Sequence, residues 1–210
     1  RWTEHSPEKA AQLLEEAGWI LESDGKRRKG GHVLELSVGV VSGWSDWVRA
    51  AQVVSRSLET VGIQADVDNR DFGSWFQRLQ TGDFDLSLGW SPDGANTIAF
   101  YESMLSQEKV LPVGQAASVN WHRYGHPEAA QLVSAFESTA ELEEQIIVAQ
   151  RLQQIFVEQA PALPLFLNPS WGECNTQRFT GFPSAEDPYA RLSPNHPPES
   201  LLVLTKLESR

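Results

Sequence analysis

The stretch FDLSLGWSPDGAN, residues 84–96, decides the fold class of this 210-residue chain. Leu86 and Leu88 alternate with Ser87 and lead into Gly89 and a polar turn, a pattern typical of a strand followed by a loop. Two further strand patterns precede it, at 31–41 and 63–69, and a helical pattern follows each of them. The first of these helices is predicted to turn Trp47 and Ala51 inward, and the second to turn Trp75 or Phe76 and Leu79 inward and to end at Gly82. The order helix, strand, helix, strand, helix, strand predicts an α/β layer with a mostly parallel sheet flanked by helices.

Weaker patterns complete the predicted set of elements. Ser6 and Pro7 predict the start of a helix that ends at Gly18. Three more helices are predicted at 97–106, 127–138 and 141–159, and the last has a predicted apolar face: Leu142, Ile146, Ala149, Leu152 and Phe156. The segments ALPLFL (162–167) and SLLVLTKL (200–207) predict strands. The basic run 26–29 lies between two glycines and is interpreted as a solvated turn.

The composition excludes several classes of partner. With 17 Lys and Arg against 28 Asp and Glu, the net charge of −11 argues against a nucleic-acid groove. The single cysteine, Cys174, allows no disulfide framework and no thiolate metal cluster. Eight tryptophans against three tyrosines are the unusual feature. Trp44, Trp90 and Trp171 lie in polar stretches, where such rings usually mark a binding surface.

None of the common catalytic or metal motifs is complete. A serine nucleophile needs a glycine two residues away on either side, whereas Ser91 has Asp93 on its far side and a proline directly after it. That proline has no N–H to offer an oxyanion hole. His122 and His126 have the i, i+4 spacing of metal ligands, but the adjacent Gly125 and a proline break any helix that would align them. We therefore predict no catalytic residue, no metal site and no cofactor.

Two loops follow predicted strands at what should be the same edge of the sheet. One carries Trp90, Asp93 and Asn96, and the other carries Trp44 and Asp46. In open α/β sheets the carboxyl edge of the strands is where ligands bind. These loops therefore predict a recognition surface, with the alternative that a tryptophan merely closes the end of the sheet.

An ordered set of segments resembles a known family. The segments are SPEKAAQLLEEAGW (6–19), SGWSDWVRAAQVVSRSLETVGI (42–63), GDFDLSLGW (82–90), NWHRYGHPEAAQLV (120–133) and QRLQQIFVEQAPALPLF (150–166). Together they are similar to the extracellular solute-binding proteins of ABC importers, family 5, the group that binds peptides, nickel and oligosaccharides. The resemblance implies a lobe like those of type II periplasmic-binding proteins. It also implies that residues 1–167 form the second ligand-binding lobe, and that the tail 168–210 packs on the first lobe of a longer protein.

The resemblance also implies roles for particular residues. In peptide-binding members the Gly-Trp-x-x-Asp stretch supplies an aromatic wall and an aspartate that holds the peptide's amino terminus. By that match Trp90 and Asp93 carry these roles, Phe72 is an aromatic at the preceding strand end, and Ser91 has none. The predicted ligand site comprises Trp44, Asp46, Phe72, Trp90, Asp93, Asn96 and Trp121.

The ligand class and the setting of the protein are further implications. The tail sequence 168–190 is similar to members that bind β-linked oligosaccharides, and the tryptophan content suits apolar sugar faces. A cello-oligosaccharide-like ligand is therefore predicted first, and an oligopeptide or dipeptide second. We expect a monomer that hands its ligand to a membrane permease, located in the periplasm or outside the cell, with a lipid anchor.

Two alternatives of other classes stay open at this point. A glycoside hydrolase would need one of the carboxylates Asp83, Asp85 or Asp93 to be buried with a shifted pKa. A stand-alone interaction domain without a small ligand would need a large exposed apolar patch outside the loops.

Overall fold

The computed structural model describes residues 4–91, 97–167, 172–194 and 196–210. Seven helices occur in these ranges: α1 (Pro7–Glu16), α2 (Ser45–Glu59), α3 (Phe72–Thr81), α4 (Thr97–Leu105), α5 (Ala129–Ser138), α6 (Leu142–Gln159) and α7 (Glu199–Lys206). The strands there are β1 (Ile20–Leu21), β2 (Arg27–Lys29), β3 (His32–Val33), β4 (Glu35–Val41), β5 (Gln64–Arg70), β6 (Leu86–Ser87), β7 (Phe179–Thr180) and β8 (Glu208–Ser209). The chain divides into two compact units, 1–163 and 164–210.

The centre of the first unit is a three-stranded parallel sheet in the order β5-β4-β6. The central strand β4 buries the successive residues Val40 and Val41, whose side chains point to opposite faces. A parallel strand covered on both faces should carry such a continuous apolar run. The predicted α/β layer with a parallel sheet and flanking helices is therefore confirmed.

The third strand is shorter than the sequence predicts. The pattern over 83–90 reduces to the two residues of β6, because the Asp85 carboxylate accepts hydrogen bonds from the Ser37 N–H (2.9 Å) and hydroxyl (2.8 Å). A side chain thus replaces the ladder bond on this side of the strand. Leu88 N–H still donates to Gly39 O at 2.9 Å, so the chain stays aligned with β4 beyond β6.

Helices α2 and α3 pack against the sheet through residues that the sequence places on their inner faces. Trp47 and Ala51 of α2 are buried, as predicted, and so are Trp75 and Leu79 of α3. Asp71 caps α3 by accepting a hydrogen bond from Ser74 N–H at 3.0 Å. Helices α2 and α3 and strand β4 form one hydrophobic core, and tryptophans lie in it near the carboxyl end of β4.

The basic run 26–29 is not a solvated turn, and that prediction is wrong. Arg27 lies on β2 in an antiparallel β1-β2-β3 meander and is 1% exposed. Its guanidinium donates to Val61 O (2.6 Å) and Trp19 O (2.8 Å) and forms an ion pair with Glu15 (3.5 Å). Carbonyl acceptors brought in from distant parts of the chain make burial of this charge tolerable.

Helices α4, α5 and α6 form a second core in the same unit. Leu152, Ile155 and Phe156 of α6 are buried there. Leu142 and Ile146, which the sequence places on the inner face, are exposed, and Leu142 is 68% exposed. The predicted face is therefore buried only in its C-terminal half, at Leu152 and Phe156, where the helix packs with α4 and α5.

The strands predicted at 162–167 and 200–207 are absent, and both predictions are wrong. Residues 162–167 form no strand, and 200–207 lie mainly in helix α7, with Val203 buried. A short apolar run is compatible with either a strand or a helix, and the described residues offer no neighbouring strand for either segment to pair with. The sheet of the second unit is the antiparallel pair β7-β8. Among the described residues, no helix combines the length and the apolar character that crossing a membrane requires.

Candidate functional site

Each strand of the parallel sheet is followed by an aromatic residue at its carboxyl end. Trp44 follows β4, Phe72 follows β5 and Trp90 follows β6. Because the three strands run parallel and side by side, these residues meet at one edge. Trp44 lies 5.9 Å from Phe72 and 6.4 Å from Trp90, measured between ring centroids. The sheet topology thus joins three predicted site residues that are distant in sequence.

Four more rings complete what we call the aromatic cluster: Trp44, Trp47, Phe72, Trp75, Phe76, Trp90 and Trp121. Its members differ in depth. Trp47 and Trp75 are buried against the sheet, and the Trp75 indole N–H donates to the Ser87 hydroxyl at 3.1 Å. Phe72 is 48% exposed and Trp90 is 40% exposed. The cluster therefore has a buried base and an open face that a ligand can reach.

The open face has a defined geometry. Phe72 and Phe76 are stacked at 5.5 Å with an angle of 11° between their planes, and Phe76 and Trp90 are stacked at 6.0 Å and 19°. Trp121 stands edge-on to this row, at 83° to Phe76 and 89° to Trp90. Three nearly parallel rings thus form a row, and the perpendicular ring of Trp121 lies beside its Phe76–Trp90 part as a side wall.

Of the three predicted polar residues of the site, Asp46 lies among the described residues. Asp46 lies in the first turn of α2, exposed, and makes no hydrogen bond or ion pair with the described residues. Asp93 and Asn96 lie outside the described residues. Ser91 is exposed. The described part of the site is therefore mainly aromatic.

The carboxylates near β6 have structural partners. Asp83 forms an ion pair with Arg78 at 2.9 Å, and Asp85 accepts the hydrogen bonds from Ser37. Both carboxylates are exposed. Neither of these residues is the buried acid that the glycoside hydrolase alternative requires.

The two closely spaced histidines also have structural roles. His122 Nε2 lies 2.8 Å from Met104 O, and burial lowers the pKa of its imidazole. His126 Nδ1 accepts a hydrogen bond from Glu128 N–H at 3.3 Å. Within the described ranges, no group of three His, Cys, Asp or Glu side chains is placed to hold a metal ion.

Trp47, Trp75 and Phe76 belong to the cluster although they are not among the predicted site residues. Their spacing could have indicated them, since Trp47 follows Trp44 by three residues and Trp75 and Phe76 follow Phe72 by three and four. Residues at these spacings share one side of a helix. Where an aromatic directly follows a strand, such partners in the next turn extend the same surface.

The sequence profile described as Bacterial extracellular solute-binding proteins, family 5 Middle matches residues 1–111, more than half of the chain. This chain belongs to that family. The predicted resemblance is thereby confirmed. Members of the family are solute-binding transport components and not enzymes, in agreement with the expectation from the sequence.

Individual relatives extend the comparison. Di/tripeptide-binding protein 4 of Pseudomonas aeruginosa is 26% identical over 166 residues, which are 77% of this chain and 28% of the relative. A probable peptide ABC transporter periplasmic-binding protein of Sinorhizobium fredii is 24% identical over 168 residues, again 77% of this chain and 28% of the relative. The chain thus spans a little over a quarter of the length of these proteins.

A solved structure is similar over almost the whole chain. It is a periplasmic oligopeptide-binding protein of an oligopeptide ABC transporter from Thermotoga maritima, determined with mannohexaose bound. The TM-score is 0.86 at 23% identity, covering 99% of this chain and 40% of that one. This similarity confirms the predicted fold, that of type II periplasmic-binding proteins.

Proposed function

We propose that this chain is the ligand-binding part of the substrate-binding component of an ABC importer, and that it captures a β-linked, cello-oligosaccharide-like sugar. The observation that carries this proposal is the open face of the aromatic cluster. Phe72 and Trp90 expose ring surface at the carboxyl edge of the sheet, while Trp47 and Trp75 hold that surface from below. Rings exposed on a rigid base are suited to contact a ligand at little cost in ordering.

The chemistry of the open face favours a neutral ligand with flat apolar faces. A pyranose ring presents C–H groups on its faces and hydroxyls at its rim, so its faces suit aromatic rings and its rim suits carboxylates and amides. The row Phe72, Phe76 and Trp90 offers successive near-parallel rings for successive sugar units. Asp46 is available at the same edge as an acceptor, and we assign the same role to Asp93 and Asn96.

The Thermotoga protein gives this ligand class further support. It shares the fold over 99% of this chain and was determined with mannohexaose bound. An oligosaccharide is therefore compatible with a protein of this architecture.

An oligopeptide or dipeptide is the second candidate ligand, and the curated relatives favour it. Two of them are named as di/tripeptide- and peptide-binding proteins, at 26% and 24% identity. A peptide would use Asp93 as the charged partner of its amino terminus, whereas a neutral sugar would use that carboxylate only as a hydrogen-bond acceptor.

The wider assignment belongs to the same proposal. Residues 1–167 are the second ligand-binding lobe, and 168–210 are a tail that packs on the first lobe. The protein acts as a lipid-anchored monomer outside the cytoplasm and delivers its ligand to a membrane permease. Family membership and the name of the Sinorhizobium relative support an extracytoplasmic location.

The test is a calorimetric titration of the intact protein with cellohexaose and, separately, with a mixed tripeptide library, at low salt and at about 1 M salt. We expect cellohexaose to bind with an affinity that salt does not change, because a neutral ligand forms no ion pair that salt could screen. Salt-sensitive binding of peptides alone would replace the first candidate by the second. Binding of neither probe would refute the assignment of the aromatic cluster as a ligand site.

A further inference from the structure

Trp121 lies farther along the chain from any α-helix or strand than the other members of the aromatic cluster. It lies in the irregular segment between the 3₁₀ turn Gln107–Lys109 and helix α5. Its ring nevertheless stands at nearly a right angle to both Phe76 and Trp90, at centroid distances of 6.0 and 5.5 Å. Something other than secondary structure must hold this ring in place.

The guanidinium of Arg123 supplies that support. It donates hydrogen bonds to three carbonyl oxygens: Trp121 O at 2.6 Å, Gln80 O at 2.7 Å and Gln115 O at 2.9 Å. Gln80 belongs to the last turn of α3, where carbonyls lack helical partners. One planar, multidentate side chain thus joins the Trp121 backbone to the helix that carries Phe72 and Phe76.

The end of α3 is shaped to receive this side chain. Gly82 ends the helix in the left-handed conformation, with φ of 74°. A Cβ placed on Gly82 would lie 2.5 Å from the Arg123 guanidinium carbon, so any larger residue there would displace this side chain. Two backbone hydrogen bonds also tie this end of α3 to the segment before Trp121: Gly114 N–H donates to Thr81 O (2.8 Å), and Ala117 N–H donates to Gln80 O (3.0 Å).

The backbone around Trp121 is held in an uncommon conformation. Asn120 and Arg123 both have positive φ, 53° and 54°, although neither is glycine. The buried Asn120 amide donates to Ser106 O and Tyr124 O, at 3.2 and 2.7 Å. Such strain persists only where surrounding contacts over-determine the conformation, and it clusters at functional sites.

We propose that Arg123 is a positioning residue of the ligand site. It holds Trp121 as a side wall beside Phe76 and Trp90 in the Phe72–Phe76–Trp90 row, and by this it shapes the part of the row where those two rings meet a ligand. The proposal rests on the proposed function in one respect, namely that the row binds ligand. The link between Arg123 and the orientation of Trp121 does not depend on the identity of that ligand.

The first experiment measures the link without ligand. Near-UV circular dichroism of the intact protein is compared for the wild type, R123K, W121A and the double variant. We expect R123K to change the tryptophan bands, because lysine is a point donor and cannot reach three carbonyls, and to change them far less when Trp121 is already absent. G82A should reproduce the R123K spectrum, since it displaces the same guanidinium.

The second experiment measures the consequence for binding, with cellohexaose and cellotriose as probes. R123K should weaken cellohexaose binding about tenfold in the wild-type background and less than about twofold in the W121A background, since coupled neighbours are non-additive. R78K is the matched control, because Arg78 lies on α3 and its guanidinium, like that of Arg123, donates to several acceptors, namely Asp83 O and Asp68. It should leave the affinity within about twofold.

The outcomes separate the two proposals. An R123K spectrum identical to that of the wild type, or an R123K effect on binding equal with and without the Trp121 ring, would overturn the role of Arg123. If the intact protein binds neither cello-oligosaccharide, the proposed ligand class fails, and the spectroscopic comparison still decides whether Arg123 orients Trp121. R123K is folded at the temperature of measurement if its thermal transition stays cooperative and lies above that temperature.

Discussion

Replacing Trp90 by alanine should weaken ligand binding by far more than replacing its neighbour Ser91. Trp90 contacts five other rings at centroid distances of 5.4–6.4 Å, and 40% of its surface remains exposed. The contacts fix the ring, and the exposed part is free for a ligand. Loss of such an anchor should cost about 2 kcal/mol of binding free energy, roughly thirtyfold in affinity. S91A should cost under about 0.5 kcal/mol, because that side chain is exposed.

Stability must be measured on the same variants, because Trp90 also packs. Truncation of a fully buried aromatic residue to alanine lowers the free energy of unfolding by about 3–5 kcal/mol. The Trp90 ring is partly exposed, so W90A should lower it by about 2 kcal/mol. L79A is the matched control: Leu79 packs in the same core but lies outside the aromatic cluster and is 4% exposed, so its truncation should lower stability and spare affinity. Calorimetric titration and chemical denaturation of the intact protein give both quantities. If W90A loses stability but keeps its affinity, Trp90 only closes the end of the sheet and the site assignment is wrong.

Three further predictions concern stability. Burial lowers the pKa of His122 below its ordinary value of 6.5. Its contribution to the free energy of unfolding is therefore fully present above about pH 6.5 and is lost as the pH falls through the folded-state pKa. H122Q should flatten this pH dependence of stability in denaturation measured from pH 8 to pH 5. R27K should lower the free energy of unfolding by about 2 kcal/mol, because lysine cannot donate to both carbonyls that Arg27 bonds. R28K on the same strand is the control and should change it by less than about 0.5 kcal/mol, because Arg28 forms exposed ion pairs. Equal losses in the two variants would contradict the argument from burial. D71A should cost about 1 kcal/mol by removing the cap of α3, with D71N nearly neutral as the control.

Much of the fold could be predicted because local patterns and burial agree in the first half of the chain. Alternation of apolar residues predicted β4 and β5, and the spacing of Trp47 and Ala51 predicted the inner face of α2. Glycines at helix ends, such as Gly82, marked boundaries correctly. These features depend on contacts within one element, or between an element and the adjacent sheet, so sequence periodicity is sufficient to reveal them.

The predictions that were wrong concern contacts outside the segment itself. Arg27 is buried because Trp19 O and, from 34 residues away, Val61 O accept its hydrogen bonds. Leu142 is exposed because α4 and α5 cover the predicted face of α6 at Leu152 and Phe156 and not at its N-terminal end. The run 200–207 is helical although its apolar residues also fit a strand. The composition of each segment does not reveal which neighbours it meets.

The sequence by itself determined that Trp44 and Trp90 follow strands of a parallel sheet and therefore share one edge, and the family resemblance added Phe72 as an aromatic at a strand end. Strand direction and order are enough for that conclusion, since a parallel sheet gathers its carboxyl ends. Only the tertiary structure decided which rings form the buried base and which stay open, because depth depends on how α2 and α3 pack against β4. It also decided the position of Trp121, because the three carbonyls that Arg123 joins converge only after the chain has folded.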